Sequence, residues 1–125
     1  MRKPWLTLLS VAIVAMFALT ACGDDGEPFD ATSLTGTPVS MTEMEFDPDQ
    51  LTVKAGENVE IALVNNGSVK HNLSIDEVDI DVDLNQNNGI SFDFTAPDSP
   101  GEYKIYCAIP GHESAGMTAT LIVEE

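Results

Sequence analysis

The residues of this sequence that could carry chemistry are two histidines, a cysteine and a methionine. Cys107, His112 and Met117 are spaced Cys-x4-His-x4-Met, and His71 is the only other histidine in the chain. Taken singly, each is more often a core residue than a ligand. Together they offer two imidazoles, a thiolate and a thioether, which are donors to soft and borderline metal ions. The sequence therefore predicts a metal site formed by these four residues.

The same donors indicate which metal to expect. Two imidazoles and a thiolate with a weak axial thioether suit a mononuclear copper centre that transfers electrons. Closed structural zinc sites use four Cys or His ligands and no thioether. A nucleophilic pair of Cys107 and His112 is the other alternative, but hydrolysis needs a substrate cleft and oxyanion donors, for which the sequence carries no motif. We expect one copper ion, cycling between Cu(I) and Cu(II).

Short strands must position these ligands. Segments rich in Val, Ile, Thr and aromatic residues alternate with turn signals such as Asn66-Gly67 and Pro110-Gly111, and no stretch of the domain shows sustained helical periodicity. This pattern predicts an all-β sandwich. The predicted strands are 38–46, 50–54, 57–65, 69–76, 89–95, 101–107 and 116–124.

Alternation within three of these strands predicts which way the ligands point. Side chains two positions apart share a face of a strand, and a buried face is apolar at every second position. On this basis His71, Cys107 and Met117 face inward, whereas Asn72 and Ser74 face solvent. The predicted buried rows are Val69, His71, Leu73 and Ile75; Tyr103, Ile105 and Cys107; and Met117, Ala119, Leu121 and Val123.

The acidic segment 79–83 spaces three aspartates as a calcium-binding loop begins. Its sixth position is Leu84 rather than glycine, and its twelfth is Ile90 rather than glutamate, so the EF-hand pattern fails. We therefore predict a solvated acidic connection at 79–83.

The N-terminus is typical of an exported protein. Arg2 and Lys3 precede an apolar run from Trp5 to Leu19, which is shorter than the ~20 residues that a membrane span needs. Residues 1–21 are therefore predicted to be a signal peptide. The following Leu19-Thr20-Ala21-Cys22 resembles a bacterial lipobox, which predicts that Cys22 carries the lipid. We expect a lipid-anchored, flexible acidic linker at 22–37 and one folded domain at 38–125.

The net charge of the chain limits the classes of partner that it can bind. The 21 acidic residues outnumber the 5 basic ones, for a net charge of −16. Nucleic acid is excluded as a partner because phosphate binding needs clustered Lys and Arg. The acidic surface would attract a basic protein, although acidity could also simply suit a saline medium. The whole chain has only two histidines, which excludes multicopper enzymes, and the loop has only one cysteine, which excludes a binuclear copper centre. We therefore expect no enzymatic activity.

The domain resembles the cupredoxins, the small blue copper proteins of plastocyanin, azurin and auracyanin type. The resemblance covers nearly all of 38–125 and is most specific in three motifs: His71-Asn72-Leu73, Tyr106-Cys107-Ala108-Ile109-Pro110-Gly111-His112 and Gly116-Met117. It implies a Greek-key sandwich of about seven to eight strands with one type 1 copper ion. His71, Cys107 and His112 would be its strong equatorial ligands and Met117 its long axial one. The resemblance also implies that Asn72 braces the two ligand-bearing loops by hydrogen bonds.

These observations predict a monomeric one-electron carrier outside the cytoplasmic membrane. It would shuttle electrons between membrane redox complexes, docking on a cytochrome or oxidoreductase with a basic surface, and His112 would be the electron port. Its predicted location is the outer face of the cytoplasmic membrane, through the lipid, or the periplasm or extracellular space. The alternative is a copper-binding protein for storage or delivery to an oxidase. A degenerate adhesive module is a third possibility, which the intact ligand set disfavours.

Overall fold

The computed structural model describes residues 29–125, which fold into nine β-strands without an α-helix in that range. The observed fold confirms the predicted all-β class. The strands are β1 (Thr37–Thr42), β2 (Glu45–Asp47), β3 (Gln50–Lys54), β4 (Asn58–Asn65), β5 (His71–Ile75), β6 (Ile80–Leu84), β7 (Asn88–Thr95), β8 (Gly101–Tyr106) and β9 (Thr118–Glu124).

The strands form two sheets that pack as a Greek-key sandwich. One sheet has the order β2-β1-β4-β7 and the other β3-β9-β8-β5-β6. The pairs β1 with β4 and β3 with β9 are parallel, and the other pairs are antiparallel. Leu63 from the first sheet and Leu121 from the second are completely buried. Full burial of such a side chain contributes about 1.5–3 kcal/mol, so the interior between the sheets provides most of the driving force.

Two segments account for the difference between the seven strand segments predicted and the nine strands observed, against the seven to eight expected. The predicted strand 38–46 is interrupted at residues 43–44, where Met44 adopts φ 62° and the chain turns back into β2. The predicted acidic connection 79–83 is wrong, because residues 80–84 form β6, which pairs with β5. Ile80 and Val82 are partly buried and Leu84 is buried, whereas Asp81 and Asp83 are exposed. A half-buried edge strand produces this alternation.

The burial of residues in and next to strand β5 differs from the prediction, because one residue expected to be buried is exposed and two expected to face solvent are buried. Val69 is exposed rather than buried, because the strand begins only at His71. Asn72 and Ser74 are buried rather than solvent-facing. Strand β5 is paired on both of its edges, by β8 and β6, and all five of its residues are buried. Its buried polar side chains must therefore find hydrogen-bond partners.

The N-terminal predictions fall mainly beyond the described range. The signal peptide at 1–21 and the lipid attachment at Cys22 lie outside residues 29–125. Within the predicted linker, Thr35 N–H donates to Ser91 Oγ at 2.8 Å, and Ala31–Ser33 form one turn of 3-10 helix. The boundary at residue 38 stays a prediction. None of the helices in the described range has the length and apolar character required to cross a membrane.

Candidate metal centre

All four predicted ligands lie where β5, β8 and β9 meet at one end of the sandwich. His71 is the first residue of β5, Cys107 directly follows β8, and Met117 directly precedes β9. His112 lies in the loop that joins β8 to β9. The hairpin pairing continues past the two strands, since Cys107 N–H donates to Met117 C=O at 3.1 Å. Strand pairing therefore places the cysteine beside the methionine.

The donor atoms of three predicted ligands converge. Nδ1 of His71 lies 3.2 Å from Nδ1 of His112, which lies 3.4 Å from Sγ of Cys107. All three donor atoms lie within 4.8 Å of one another. Ligands about 2.0–2.3 Å from a shared trigonal metal would be roughly 3.5 Å apart, so these separations fit one ion. Within residues 29–125 no other group of three or more His, Cys, Asp or Glu side chains meets this criterion.

Met117, the fourth predicted ligand, lies in the core. Its side chain is completely buried and belongs to the same hydrophobic cluster as Cys107. A thioether in such a position is available as a soft, weak ligand.

The loop from Cys107 to Met117 is shaped by its own backbone hydrogen bonds. His112 N–H donates to Ile109 C=O at 3.0 Å, and Met117 N–H donates to His112 C=O at 3.1 Å. Gly116 adopts φ 102°, which residues with a side chain rarely reach. Successive turns therefore bring His112 back towards Cys107 while returning the chain to β9.

His71 is held in a form that can bind a metal. The ring is completely buried, and burial lowers its pKa. The neighbouring His112 lowers the pKa further, whereas Glu43 raises it. The neutral imidazole, which is the metal-binding form, is therefore favoured. With Nδ1 turned towards the other ligands, Nε2 has no hydrogen-bond partner among the described residues.

A loop between β4 and β5 packs against this ring. The sequence does not predict which residue fixes the conformation of this loop. The amide of Asn65 donates to Val69 C=O and to Leu84 C=O, both at 2.9 Å, and its Oδ1 accepts from Gly67 N–H at 2.9 Å. A β-carbon on Gly67 would lie 2.8 Å from Nε2 of His71. The sequence Asn-Asn-Gly after a buried strand signals a turn. That signal does not reveal that Asn65 is buried and fixes the loop.

Asn72 connects the two ligand-bearing segments. Its backbone N–H donates to Sγ of Cys107 at 3.3 Å, and its Oδ1 accepts from Ala108 N–H at 3.0 Å. Asn72, which directly follows His71, is therefore hydrogen bonded to both Cys107 and Ala108. The first bond places the positive end of an N–H dipole beside the sulfur.

Comparisons with curated proteins find a plastocyanin and a cuproprotein among the similar sequences. The chain is 37% identical over 91 residues to chloroplastic plastocyanin of Chlamydomonas reinhardtii, covering 65% of this chain and 59% of that protein. It thus spans well under two thirds of that relative's length. It is also 27% identical over 122 residues to the copper-resistant cuproprotein CopI of Rubrivivax gelatinosus, covering 78% of this chain and 72% of that protein.

Solved structures share the fold. Dithionite-reduced auracyanin of Roseiflexus castenholzii superposes with a TM-score of 0.65 at 20% identity, covering 74% of this chain and 99% of that chain. Auracyanin A of Chloroflexus aurantiacus, described as a "blue" copper protein, superposes with a TM-score of 0.58 at 27% identity, covering 70% and 100%. The family model for the cupredoxin-like domain matches residues 9–123. With that match, the two-sheet sandwich and the converging donors, this chain belongs to the cupredoxin-like family.

Proposed function

We propose that this protein is a one-electron carrier in which His71, Cys107 and His112 hold a single type 1 copper ion and Met117 is its axial ligand. The observation that carries the proposal is the convergence of two imidazoles and a thiolate, with histidines 41 positions apart in sequence, within 4.8 Å. Copper would supply the redox chemistry by alternating between Cu(II) and Cu(I). A mixed set of imidazole and soft sulfur donors suits neither oxidation state alone, so one geometry can serve both.

The chain itself holds the ligands in place. Cys107 is tied to Met117 through the backbone, Met117 to His112, and Asn72 to the Cys107 sulfur. These bonds come from strands and tight turns rather than from long flexible side chains. Ligands fixed in this way move little when the charge of the site changes, which is what rapid electron transfer requires. The N–H donated to sulfur is also a means of tuning the potential.

Under this proposal His112 is the electron port. His71 is completely buried, whereas His112 is only partly buried. Ile109, Pro110 and Ala115 surround it in the sequence with apolar or small side chains, of which Pro110 and Ala115 are exposed. An apolar rim of this kind lets a partner approach closely and leave quickly, as small transient redox interfaces do.

The proposed partners are redox proteins with a basic docking surface. Two of the three lysines in the described range are paired with acids: Lys70 with Asp83, and Lys104 with Glu113, each at 2.5 Å. Few positive charges therefore remain to offset the acidic surface. Such a surface raises the encounter rate with a basic partner at low ionic strength.

The proposed location is outside the cytoplasmic membrane, with a lipid on Cys22. Support comes from the apolar run and the Leu19-Thr20-Ala21-Cys22 motif. Two or more acyl chains would provide the stable attachment that one chain does not. A Cys22→Ser variant should leave the membrane fraction and appear in the soluble exported fraction. If it stays with the membrane, the lipid assignment is wrong.

Copper addition to the purified protein tests the proposed function. We expect cupric ion to produce an intense blue thiolate-to-copper charge-transfer band that is lost in Cys107→Ser. Cys22→Ser is the matched control, because it removes the other cysteine and should keep the band. A protein that stays colourless, or a band that survives Cys107→Ser, would refute the assignment.

Copper storage or delivery is the second candidate, favoured by the similarity to a copper-resistant cuproprotein. The two functions differ in what leaves the protein. A carrier retains its ion through repeated oxidation and reduction, with a reversible potential and fast self-exchange. A delivery protein transfers the ion readily to an apo-acceptor. Self-exchange measured by NMR line broadening, together with metal transfer to chelators of graded affinity, distinguishes them.

A further inference from the structure

The side chain of Asn72 uses every hydrogen bond it can make. Asparagine has two amide donors and an oxygen with two acceptor sites. Its Oδ1 accepts from Ala108 N–H at 3.0 Å and from Ser74 Oγ at 2.7 Å. Its Nδ2 donates to Oδ1 of Asp81 at 2.6 Å and to Oδ1 of Asp83 at 2.8 Å. With 2% of its surface exposed, it lies where an unmade bond is costly.

Strand pairing places both carboxylates on the same face of the sheet as this asparagine. Asp83 lies directly across from Asn72 in the pairing of β5 with β6, and Asp81 lies across from Ser74. All four side chains alternate onto one face of the hairpin. Asp81 and Asp83 are exposed on β6, which is an edge strand. Within residues 29–125 no hydrogen bond joins either carboxylate to a residue proposed to bind copper.

The chemistry of carboxylates fixes the orientation of the amide. An asparagine side chain can turn over and exchange its oxygen for its nitrogen. An ionised carboxylate only accepts hydrogen bonds, so two of them admit the NH2 group and reject the oxygen. The oxygen must then face Ala108 N–H. If the amide turned over, an N–H would oppose an N–H directly beside Cys107.

We propose that Asp81 and Asp83 are positioning residues for the copper-binding cysteine, acting through Asn72. They hold the amide so that its oxygen anchors Ala108 and its backbone N–H stays directed at the Cys107 sulfur. This inference rests on the proposed copper function for its redox consequence. Its structural content, the anchoring of the segment after Cys107, does not need the metal.

The two-residue variant Asp81→Asn with Asp83→Asn tests this inference. The amides that replace the carboxylates can present either atom, so the orientation of Asn72 is no longer imposed. The matched control is Glu77→Gln with Asp79→Asn, which removes two acids from the turn between the same strands without contacting Asn72. Asp79 adopts φ 54°, a conformation that asparagine tolerates.

The metal-free protein provides the first readout. By amide hydrogen exchange we expect Ala108 N–H to exchange about tenfold faster or more in Asp81→Asn/Asp83→Asn, since an anchoring bond is lost, and to be unchanged in the control. Equal protection of Ala108 in the two variants would overturn the inference. If the double variant does not fold, Asp83→Asn alone serves, because that side chain is 54% exposed, and it should show a smaller change of the same sign.

The copper-loaded protein provides the second readout. We expect an altered charge-transfer band and about tenfold faster copper loss in the double variant but not in the control. In an Asn72→Ala background the same two substitutions should add nothing, because they act through the missing amide. If the two aspartate substitutions had an equal effect with and without the Asn72 side chain, the loss of charge alone would be responsible and the inference would fail. If the unsubstituted protein binds no copper, the proposed function fails, while hydrogen exchange still decides the positioning role.

Discussion

The most direct test of the ligand geometry is to add a single methyl group behind His71. In Gly67→Ala the new β-carbon would lie 2.8 Å from Nε2 and 3.0 Å from Cδ2 of the ring, and 3.1 Å from Oδ1 of Asn65. Carbon atoms in ordinary contact are about 3.5–4.0 Å apart, so the ring must move by roughly half an ångström or more. Gly67 has no left-handed φ, so alanine is tolerated by the backbone itself.

The direction in which the His71 ring moves determines the effect of the substitution on copper binding. Nδ1 lies across the ring from the Nε2–Cδ2 edge, so pressure on this edge drives Nδ1 towards Nδ1 of His112, which is already 3.2 Å away. Overpacking a buried site costs about 1–3 kcal/mol. Loss of glycine flexibility in the unfolded chain returns about 0.4–1 kcal/mol of stability to the folded state. The cost should therefore fall mainly on the metal-bound form, in which the ring cannot relax.

We expect Gly67→Ala to bind copper about tenfold to a hundredfold more weakly, with a shifted or weakened blue band. The assay is a cupric titration against a competing chelator, followed by absorbance. Gly89→Ala is the control, since its β-carbon would meet Phe29 and Leu63 C=O rather than a predicted ligand. It should lower the melting temperature and leave the band unchanged. Wild-type affinity and an unaltered band in Gly67→Ala would refute this account of the ring.

Three further predictions concern stability. Leu121→Ala should lower the free energy of unfolding by about 2–5 kcal/mol in urea denaturation, because it empties a completely buried position. Asn65→Ala should cost about 1–3 kcal/mol by the same assay, since it leaves buried backbone groups unpaired, whereas Asn66→Ala, at an exposed neighbour, should cost under about 0.5 kcal/mol. Hydrogen bonds from Lys70 and then Asn72 lower the pKa of Asp83, so its stabilisation is present above the ordinary aspartate pKa of about 3.9 and is lost as the pH falls through the lowered value. The stability difference between the wild type and Asp83→Asn should therefore shrink below about pH 4 in urea titrations, and a difference that grows with acidity would contradict the assignment.

Apolar alternation in the sequence is sufficient to locate some of the buried faces. Alternation correctly placed Met117, Ala119, Leu121 and Val123 on a buried face. The same alternation, Ile80-Asp81-Val82-Asp83-Leu84, occurs in β6, whereas the predicted acidic connection at 79–83 assigns its aspartates to a solvated loop. Edge strands that expose charged residues are common ways to prevent aggregation, so acidity was no argument against a strand.

Burial in β5 could not be predicted from its own residues. Asn72 and Ser74 alternate with apolar neighbours, which favours a solvent-facing position, yet both are buried. Neighbouring strands and the segment after Cys107 cover them, and the pairing of those strands is not encoded in local periodicity. Asn65 is similar, because a turn sequence gives no sign of whether its side chain will be enclosed.

The local part of the site follows from the order of residues along the chain. Cys107, His112 and Met117 occupy one connection between adjacent antiparallel strands, and covalent spacing together with tight turns keeps them close. Only the tertiary structure brought His71 to this loop, because that requires β5 to pair with β8 across a long stretch of chain. The same pairing placed Asn72 beside Cys107 and the β6 carboxylates beside Asn72. Contacts of this kind depend on the loop-closure entropy and burial of the whole sandwich rather than on any short segment.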